Sequence, residues 1–315
     1  MSYPSSSEPE AVSLRGGQRA VVEAARQLRA ADRAFALTLV VDTEGSTYRK
    51  PGALALVADD GGQVGVISGG CLEPGLVALA GAAIAAREPR NTTFDTRSED
   101  DLIFGSGSGC RGRMRVLAVP VLPDAPSTLF DAIAVMHETR RPVQLAIGDL
   151  AANLRPGGHV TLRPSPLVLL LGAGPEAPPL LDIARTLGWF AWLGDHRPGL
   201  LTAARTRYAD RVIVERPAMA LAAVGDTPLD AALVMTHSAG HDLAALQALA
   251  ARDTRYVGLL GPPARRDELL ARLTSTERAS LAGRLHAPVG LPLGGEGPET
   301  IALAIAADLQ RAFHR

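Results

Sequence analysis

The stretch Leu-Val-Leu-Leu-Leu-Gly-Ala-Gly-Pro-Glu-Ala, residues 167–177, sets the architecture of the second half of the chain. Its five consecutive apolar residues predict a buried strand, and the spacing of Gly172, Gly174 and Ala177 predicts a tight turn into a helix. Asp195 stands at the end of the next predicted strand. In a Rossmann fold such glycines approach a pyrophosphate, and such an acid holds a ribose hydroxyl. A fold does not carry its ligand with it, so nucleotide binding is a separate hypothesis.

Apolar strands alternate with helical patterns through residues 167–315, which predicts a doubly wound parallel sheet covered on both faces. Residues 16–150 instead combine three helices with a hairpin at Asp59-Asp60-Gly61-Gly62, which predicts an α+β domain. Residues 151–166, rich in proline and glycine, are expected to be a linker or a surface ribbon, and residues 1–15 a disordered lead-in. The predicted fold class is α/β, with the α+β domain followed by the Rossmann-like domain.

Charge and composition exclude several classes of function. The 315 residues include 32 basic and 33 acidic side chains. The resulting net charge of −1 gives no excess of positive charge with which to bind nucleic acid or an anionic membrane. Uncharged apolar runs stay below the ~20 residues of a membrane-spanning helix, and the N-terminus lacks the pattern of a signal peptide, so we expect a cytoplasmic protein. Two cysteines exclude a disulfide framework and a multi-zinc module.

Both cysteines follow glycine-rich turns. Cys71 comes after Ser68-Gly69-Gly70, between a strand and a helix, and Cys110 ends the glycine-rich residues 104–110. Backbone amides of the Gly69-Gly70 turn suit an anion, and a helix N-terminus stabilises a thiolate. The two thiols point to sulfur transfer, contact with a soft metal or a redox disulfide. The alternative is that Cys71 packs inward as a small apolar residue.

Two further segments supply candidate site residues. Ser46 and Arg49 lie in a polar loop that suits a phosphate or the polar edge of a pterin, and the alternative is a solvated loop. His237 follows an apolar strand at the carboxyl edge of the predicted sheet, where sites of α/β proteins form. It is a candidate acid–base, metal ligand or helix-start residue, whereas His241 and His286 are expected to be structural.

Taken in order, these motifs resemble the XdhC/CoxI family, which are accessory proteins for xanthine dehydrogenase and related molybdenum hydroxylases. The first half carries TEGSTYRKPGA (43–53), VGVISGGCLE (64–73) and GSGCRG (107–112). The second half carries LLLGAGPEA (169–177), DHRP (195–198), VMTHSAGHDLAAL (234–246) and RLHAPVGLPLGGEGPETIALAI (284–305). The resemblance covers about residues 20–309.

The resemblance implies a chaperone that binds molybdenum cofactor (molybdopterin), assists its sulfuration and inserts it into a molybdenum hydroxylase apoenzyme. Such proteins are not expected to run a turnover reaction, so no catalytic residue is predicted. By resemblance, Cys71 contacts the cofactor and its metal, Cys110 is the second contact, and the loop from Ser46 to Arg49 lines the same site. A homodimer and a cysteine desulfurase partner are further expectations.

The sequence departs from the family pattern in its second half. Pro175 stands where the glycine turn usually ends in histidine, and Ala239 stands where a second histidine usually follows Thr236-His237. Two prolines also follow Leu-Leu-Gly at 259–261. These departures weaken any metal or nucleotide role for the histidines of the second domain.

The alternative function is an NAD(P)-dependent oxidoreductase. In that scheme Gly172, Gly174 and Asp195 hold the dinucleotide, and His237 transfers protons. The scheme gives the two cysteine loops no role, and it lacks a clear histidine–carboxylate or lysine–tyrosine pair. Dinucleotide titration discriminates between the two hypotheses.

Overall fold

The computed structural model describes residues 16–70, 72–97, 111–151 and 158–314. The chain divides into two compact units, Met1–Pro164 and Ser165–Arg315. Each unit has apolar clusters of its own around its own sheet.

The first unit is built on a five-stranded antiparallel sheet. Its strands run in the order β3 (Gln63–Val64), β2 (Leu54–Ala58), β1 (Phe35–Gly45), β5 (Gly112–Val121), β4 (Arg90–Asp95). A separate antiparallel pair joins β6 (Val143–Ala146) to β7 (His159–Leu162). The helices described in this unit are α1 (Gly17–Ala30), α2 (Glu73–Ala86), α3 (Thr128–Thr139) and the short α4 (Ile147–Leu150).

Helices cover both faces of the five-stranded sheet. Successive strand residues point to opposite faces, so β1 contributes Leu37 and Leu39 to the cluster packed against α1 and α3. Ala36 and Val40 point to the opposite face, which α2 covers. Ala36 packs in one cluster with Ala80 of that helix, and Val40 packs in another with Leu76. Burial on both sides explains why this strand reads as a continuous apolar run rather than as an alternating one.

Three features of the first unit differ from the expectation. β1 continues through Asp42–Gly45, part of the expected polar loop, because these residues pair with the β5 segment that begins at Gly112. The edge strand Arg90–Asp95 was not predicted, since its polar, half-exposed residues carry no apolar pattern. Within the expected linker, His159–Leu162 forms a strand whose Val160 and Leu162 are buried in the core of this unit.

The second unit has a six-stranded parallel sheet, which confirms the predicted doubly wound architecture. Its strands run in the order β10 (Arg211–Ile213), β9 (Phe190–Gly194), β8 (Leu167–Leu171), β11 (Ala231–Val234), β12 (Tyr256–Leu259), β13 (Leu285–His286). The chain order reverses at β8, which lies between β9 and β11. That switch point is where α/β sheets form their ligand crevice, beyond the carboxyl ends of the strands.

Six helices flank this sheet in the part of the second unit that the structure describes. They are α5 (Ala177–Leu187), α6 (Pro217–Val224), α7 (Ala239–Ala250), α8 (Pro263–Ala271), α9 (Ser275–Leu281) and α10 (Pro298–Phe313). A separate apolar cluster lies on each face of the sheet, as the doubly wound prediction requires. Among the described residues, no helix combines the length and the apolar character needed to cross a membrane.

Candidate functional site

The glycine turn of the second unit is fitted tightly against the neighbouring strand. Gly172 has a φ of +122°, and a Cβ on it would lie 2.3 Å from the Met235 carbonyl oxygen. Its N–H donates to the Gly194 carbonyl at 2.8 Å, which ties the ends of β8 and β9 together. Glycine at this position is therefore required by the closure of the sheet edge itself.

Asp195 lies at the end of β9 with both carboxylate oxygens engaged. Its side chain is 1% exposed, and it accepts hydrogen bonds from the Ala173 amide (2.8 Å) and the Arg197 amide (2.9 Å). The Arg197 guanidinium adds two more, at 2.9 and 2.8 Å. Burial acts to raise the pKa of this carboxyl, but these donors outweigh it and lower the pKa to about 2. Asp195 is thus a structural anion that holds the glycine turn, and it has no oxygen free for a ribose hydroxyl.

Glu176 fills the space beside Gly174. Its carboxylate is buried at the N-terminus of α5, and its Oε2 lies 3.2 Å from Nε2 of His237. A Cβ on Gly174 would meet that oxygen at 2.8 Å and the His237 ring at 2.9 Å. The structure thus contains a histidine–carboxylate pair that the sequence did not reveal, because the two residues lie 61 positions apart. A negative charge at a helix N-terminus is favourable, and because a Rossmann fold holds its pyrophosphate at the same helix N-terminus, this carboxylate would repel a phosphate there.

His237 has a φ of +59°, a left-handed conformation that is rare outside glycine. Asp242 stabilises the turn at Thr236-His237. It is fully buried, and it accepts hydrogen bonds from the Thr236 hydroxyl (2.5 Å) and the Thr236 amide (3.2 Å). Arg265 donates to the other Asp242 oxygen at 2.6 Å. Sequence reasoning missed this support, although an acidic residue in the first turn of a helix after a strand is a recognisable signal.

Arg205 is a second residue of this edge that the sequence did not reveal. Its Nη2 donates to the carbonyl oxygens of Ala173 at 2.7 Å and Gly174 at 3.0 Å. It comes from the irregular segment after β9, so no local pattern marks it. The structure therefore brings Gly172, Gly174, Asp195 and His237 to one sheet edge. At this edge, other side chains of the protein already form hydrogen bonds with Gly174, Asp195 and His237.

The two histidines expected to be structural have ring partners. His241 packs edge-to-face on His196, with ring centroids 4.5 Å apart. His286 stacks on Tyr256, and the Tyr256 hydroxyl donates to the buried Asp308 at 2.7 Å. Burial and that hydrogen bond raise the pKa of Tyr256 far above its ordinary value, so it stays protonated.

In the first unit, the turn before Cys71 is closed by Ser68 and Glu73. The Ser68 hydroxyl donates to the Glu73 carboxylate and accepts from the amides of Gly70 (3.3 Å) and Leu72 (3.0 Å). The Ser68 amide also donates to Glu73, at 3.2 Å. This pair of hydrogen bonds fixes the path of the turn that leads into α2. Sequence reasoning had named Ser68 but missed Glu73 as its partner.

Gly69 and Gly70 are both exposed. Among the residues that the structure describes, a Cβ on either would meet nothing within 4 Å. Gly70 needs glycine for its φ of +111°, whereas Gly69 lies outside the left-handed region. Neither conformation nor crowding by the described residues therefore accounts for glycine at position 69.

The polar loop with Ser46 and Arg49 meets the chain just after Cys110. The Ser46 amide donates to the Arg111 carbonyl at 3.3 Å, and a Cβ on Gly112 would lie 2.3 Å from the Ser46 carbonyl oxygen. Within the described ranges, no carboxylate forms an ion pair with Arg49 or Lys50. The polar loop therefore carries two cationic side chains, Arg49 and Lys50, and its Ser46 contacts Arg111, the residue that follows Cys110.

The polar loop and the turn at Ser68-Gly69-Gly70 adjoin one buried apolar cluster. Ala53, just after the polar loop, and Ile67, just before Ser68, belong to one buried cluster with Leu76 and Met114. Cys71 and Cys110 lie outside the described residues. Across the ranges that the structure does describe, no group of three or more His, Cys, Asp or Glu side chains is arranged to hold a metal ion.

Comparisons with known proteins agree with this two-unit description. A family model described as the XdhC Rossmann domain matches residues 168–309, and one described as the XdhC and CoxI family matches residues 28–95. A Bacillus subtilis (strain 168) protein, named as a probable subunit of xanthine dehydrogenase, is 29% identical over 307 residues, covering 87% of this chain and 91% of that protein. The molybdenum cofactor insertion chaperone PaoD of Escherichia coli (strain K12) is 25% identical over 325 residues, covering 96% and 91%.

A crystal structure from Bacillus halodurans, described as a xanthine dehydrogenase, is also similar. It superposes with a TM-score of 0.78 at 30% identity, covering 94% of this chain and 96% of that one. The likeness thus extends over nearly the full length of both chains and includes both units. On this evidence the chain belongs to the XdhC and CoxI family.

Proposed function

We propose that this protein binds molybdenum cofactor in its first unit and inserts it into a molybdenum hydroxylase of the xanthine dehydrogenase type. The observation that carries the proposal is the open glycine turn before Cys71. Gly69 is exposed and has ordinary backbone geometry, and a Cβ on it would contact none of the described residues, which leaves room on this side of the turn for an incoming molecule. Ser68 and Glu73 hold the turn in that open conformation.

The charges of the polar loop fit an anionic, sulfur-bearing cofactor. Arg49 and Lys50 lack ion-pair partners among the described residues, so their charges are available to a phosphate group. Both carboxylate oxygens of Glu73, by contrast, accept hydrogen bonds from Ser68. When bound, the cofactor supplies the molybdenum and its sulfur ligands. The chain supplies the cationic loop, the glycine turn and, by family resemblance, the soft thiols of Cys71 and Cys110.

The relatives support the same function. One is named a molybdenum cofactor insertion chaperone and another a probable subunit of xanthine dehydrogenase, so an apo-hydroxylase is the partner we propose. We extend the proposal to sulfuration of the cofactor, with a cysteine desulfurase as the source of sulfur and the cytoplasm as a compartment that keeps both thiols reduced. In the second unit, Asp195 and Glu176 weigh against the dinucleotide enzyme, because one is fully engaged and the other places a negative charge at the helix N-terminus where a phosphate would bind.

The test is the cofactor content of protein purified without oxygen from a host that makes abundant molybdenum cofactor. Molybdenum is measured by mass spectrometry and pterin by fluorescence after oxidation, for the wild type, Cys71→Ala and Cys110→Ala. We expect near-stoichiometric molybdenum and pterin in the wild type and loss of both in Cys71→Ala. A wild type without cofactor, or a Cys71→Ala variant that retains as much as the wild type, would contradict the proposal.

A second pair of variants tests the cationic loop. Arg49→Gln removes one of the available charges, and Arg141→Gln removes an exposed arginine elsewhere in the same unit. We expect only Arg49→Gln to lower the pterin content, while far-UV circular dichroism stays unchanged in both. Equal retention by the two variants would remove the polar loop from the site. NADH fluorescence titration of the wild type completes the set, and binding at micromolar concentration would favour the dinucleotide enzyme.

A further inference from the structure

Tyr48 differs from the other aromatic residues of this chain in its exposure. Phe, Trp and Tyr make up 4% of the sequence, and each of the other such rings that the structure describes is buried or partly buried. Tyr48 is 61% exposed, the largest fraction among the large hydrophobic side chains described. No aromatic or guanidinium group of the described residues packs on its ring. An aromatic ring stabilises a fold chiefly through the area that it buries, so this ring contributes little to the fold.

A hydrogen-bonded turn carries Tyr48. The Thr47 hydroxyl donates to the Arg49 carbonyl at 2.9 Å, which closes the backbone around Tyr48. Beyond this turn, the Gly52 amide donates to the Val40 carbonyl of β1 at 2.9 Å, which ties the polar loop to the sheet. Because these bonds already fix the backbone, a ligand that binds to the ring has less conformational entropy to remove.

Two cationic side chains follow Tyr48 directly in the chain. Neither Arg49 nor Lys50 forms an ion pair with a carboxylate of the described residues. The Lys50 amine instead lies 3.4 Å from the Thr47 hydroxyl oxygen, on the turn that carries Tyr48. Ring faces bind other planar rings by stacking, and cations bind phosphate by charge-assisted hydrogen bonds. The combination therefore fits a planar heteroaromatic ring that bears a phosphate.

We propose that Tyr48 stacks on the pterin ring of the cofactor while Arg49 and Lys50 hold its phosphate. This inference rests on the proposed function, and it adds the residue that recognises the organic ring. Stacking needs a π-face on the ligand, so an anion without a ring gains nothing from Tyr48. Tyr48 thus selects for the pterin, whereas the proposed thiol contacts are with the metal and its sulfur ligands.

The dissociation constant of the cofactor tests this assignment. Equilibrium dialysis without oxygen, followed by pterin fluorescence after oxidation, measures it for the wild type, Tyr48→Phe, Tyr48→Leu and Val135→Ala. Val135 is 50% exposed on α3 of the same unit, so its truncation controls for the loss of an exposed apolar side chain. We expect Tyr48→Leu to raise the dissociation constant by about tenfold, because leucine offers no ring, and the other two variants to stay within about twofold of the wild type.

Inorganic phosphate as a competitor separates stacking from a structural role of Tyr48. It occupies only the cationic side chains, so its inhibition constant should be the same for the wild type and Tyr48→Leu. A Tyr48→Leu variant that loses affinity for phosphate and for the cofactor by the same factor would show that Tyr48 only shapes the loop, and the inference would then be wrong.

The remaining outcomes distinguish this inference from the proposed function. A Tyr48→Leu variant that binds the cofactor as tightly as the wild type would overturn the inference and leave the proposed function intact, whereas a wild type that binds no cofactor would overturn both. Adenosine monophosphate carries a planar base and a phosphate but no pterin, and we expect an equimolar amount to leave the cofactor bound. If it displaces the cofactor from the wild type but not from Tyr48→Leu, the ring recognises a nucleotide base and the assignment to the pterin is refuted.

Discussion

Replacing Asp195 by asparagine should destabilise the second unit by an amount that the site geometry predicts. Asparagine keeps the shape of the side chain but removes the charge that Arg197 and the Ala173 amide stabilise. The pKa falls from an ordinary 3.8 to about 2, and at about 1.4 kcal/mol per pH unit this difference corresponds to about 2.5 kcal/mol. We expect Asp195→Asn to lower the free energy of unfolding by about that amount at pH 7.

The pH dependence of this loss has a definite sign. The pKa is lower in the folded state, so the carboxylate contributes its full stabilisation above about pH 4 and loses it as the pH falls toward 2. The difference between wild type and variant should therefore be constant from pH 7 to 5 and shrink to about half by pH 3. Other carboxyls titrate equally in both proteins and cancel from the difference.

Urea unfolding followed by tryptophan fluorescence measures this effect selectively. The chain has two tryptophans, Trp189 and Trp192, and both lie in the second unit. Asp182→Asn, at an exposed position of α5 in the same unit, is the control and should change little. If Asp195→Asn costs nothing at pH 7, or costs as much at pH 3 as at pH 7, the assignment of Asp195 as a stabilising buried anion is wrong.

Three further substitutions test the same unit. Gly172→Ala should cost more than about 3 kcal/mol or prevent folding, because the φ is +122° and the new Cβ would lie 2.3 Å from the Met235 carbonyl oxygen; urea unfolding measures it. Tyr256→Phe should cost about 1–2 kcal/mol in the same assay, because Asp308 loses a buried donor. Glu176→Gln should tighten NADH binding relative to the wild type by removing a negative charge from the phosphate position, and unchanged fluorescence titrations of both proteins would refute that interpretation.

Local patterns were sufficient for most of the fold. The strand Leu167–Leu171 and the helix Thr128–Thr139 lie where the apolar periodicity placed them, the helix beginning after Ser127, whose hydroxyl accepts from the Phe130 amide. The edge strand Arg90–Asp95 was not predicted, because its residues are stabilised by pairing with β5 rather than by burial of apolar side chains. Elements whose energy comes from non-local partners leave little periodicity to read.

The sequence predicted where the residues of the second unit's candidate site meet, but not which groups form hydrogen bonds with them. Gly172, Gly174, Asp195 and His237 meet at the carboxyl edge of the sheet, as parallel strand order requires. The motif predicted a ribose as the partner of Asp195, but its partners are Arg197 and backbone amides of the same edge. Which donors surround a buried carboxylate depends on contacts between segments distant in sequence, and a motif does not encode them.

The two glycine turns of this chain illustrate why a glycine motif predicts a fold more securely than it predicts a ligand. In the second unit, Gly172 is crowded by the Met235 carbonyl, so the fold requires glycine there whether or not a nucleotide binds. In the first unit, Gly69 is crowded by none of the described residues and needs no unusual φ, so the fold gives no reason for glycine. A glycine that the protein does not need for itself is better evidence of an approaching molecule. That argument shifts the expected binding function from the Rossmann motif to the less recognisable turn before Cys71.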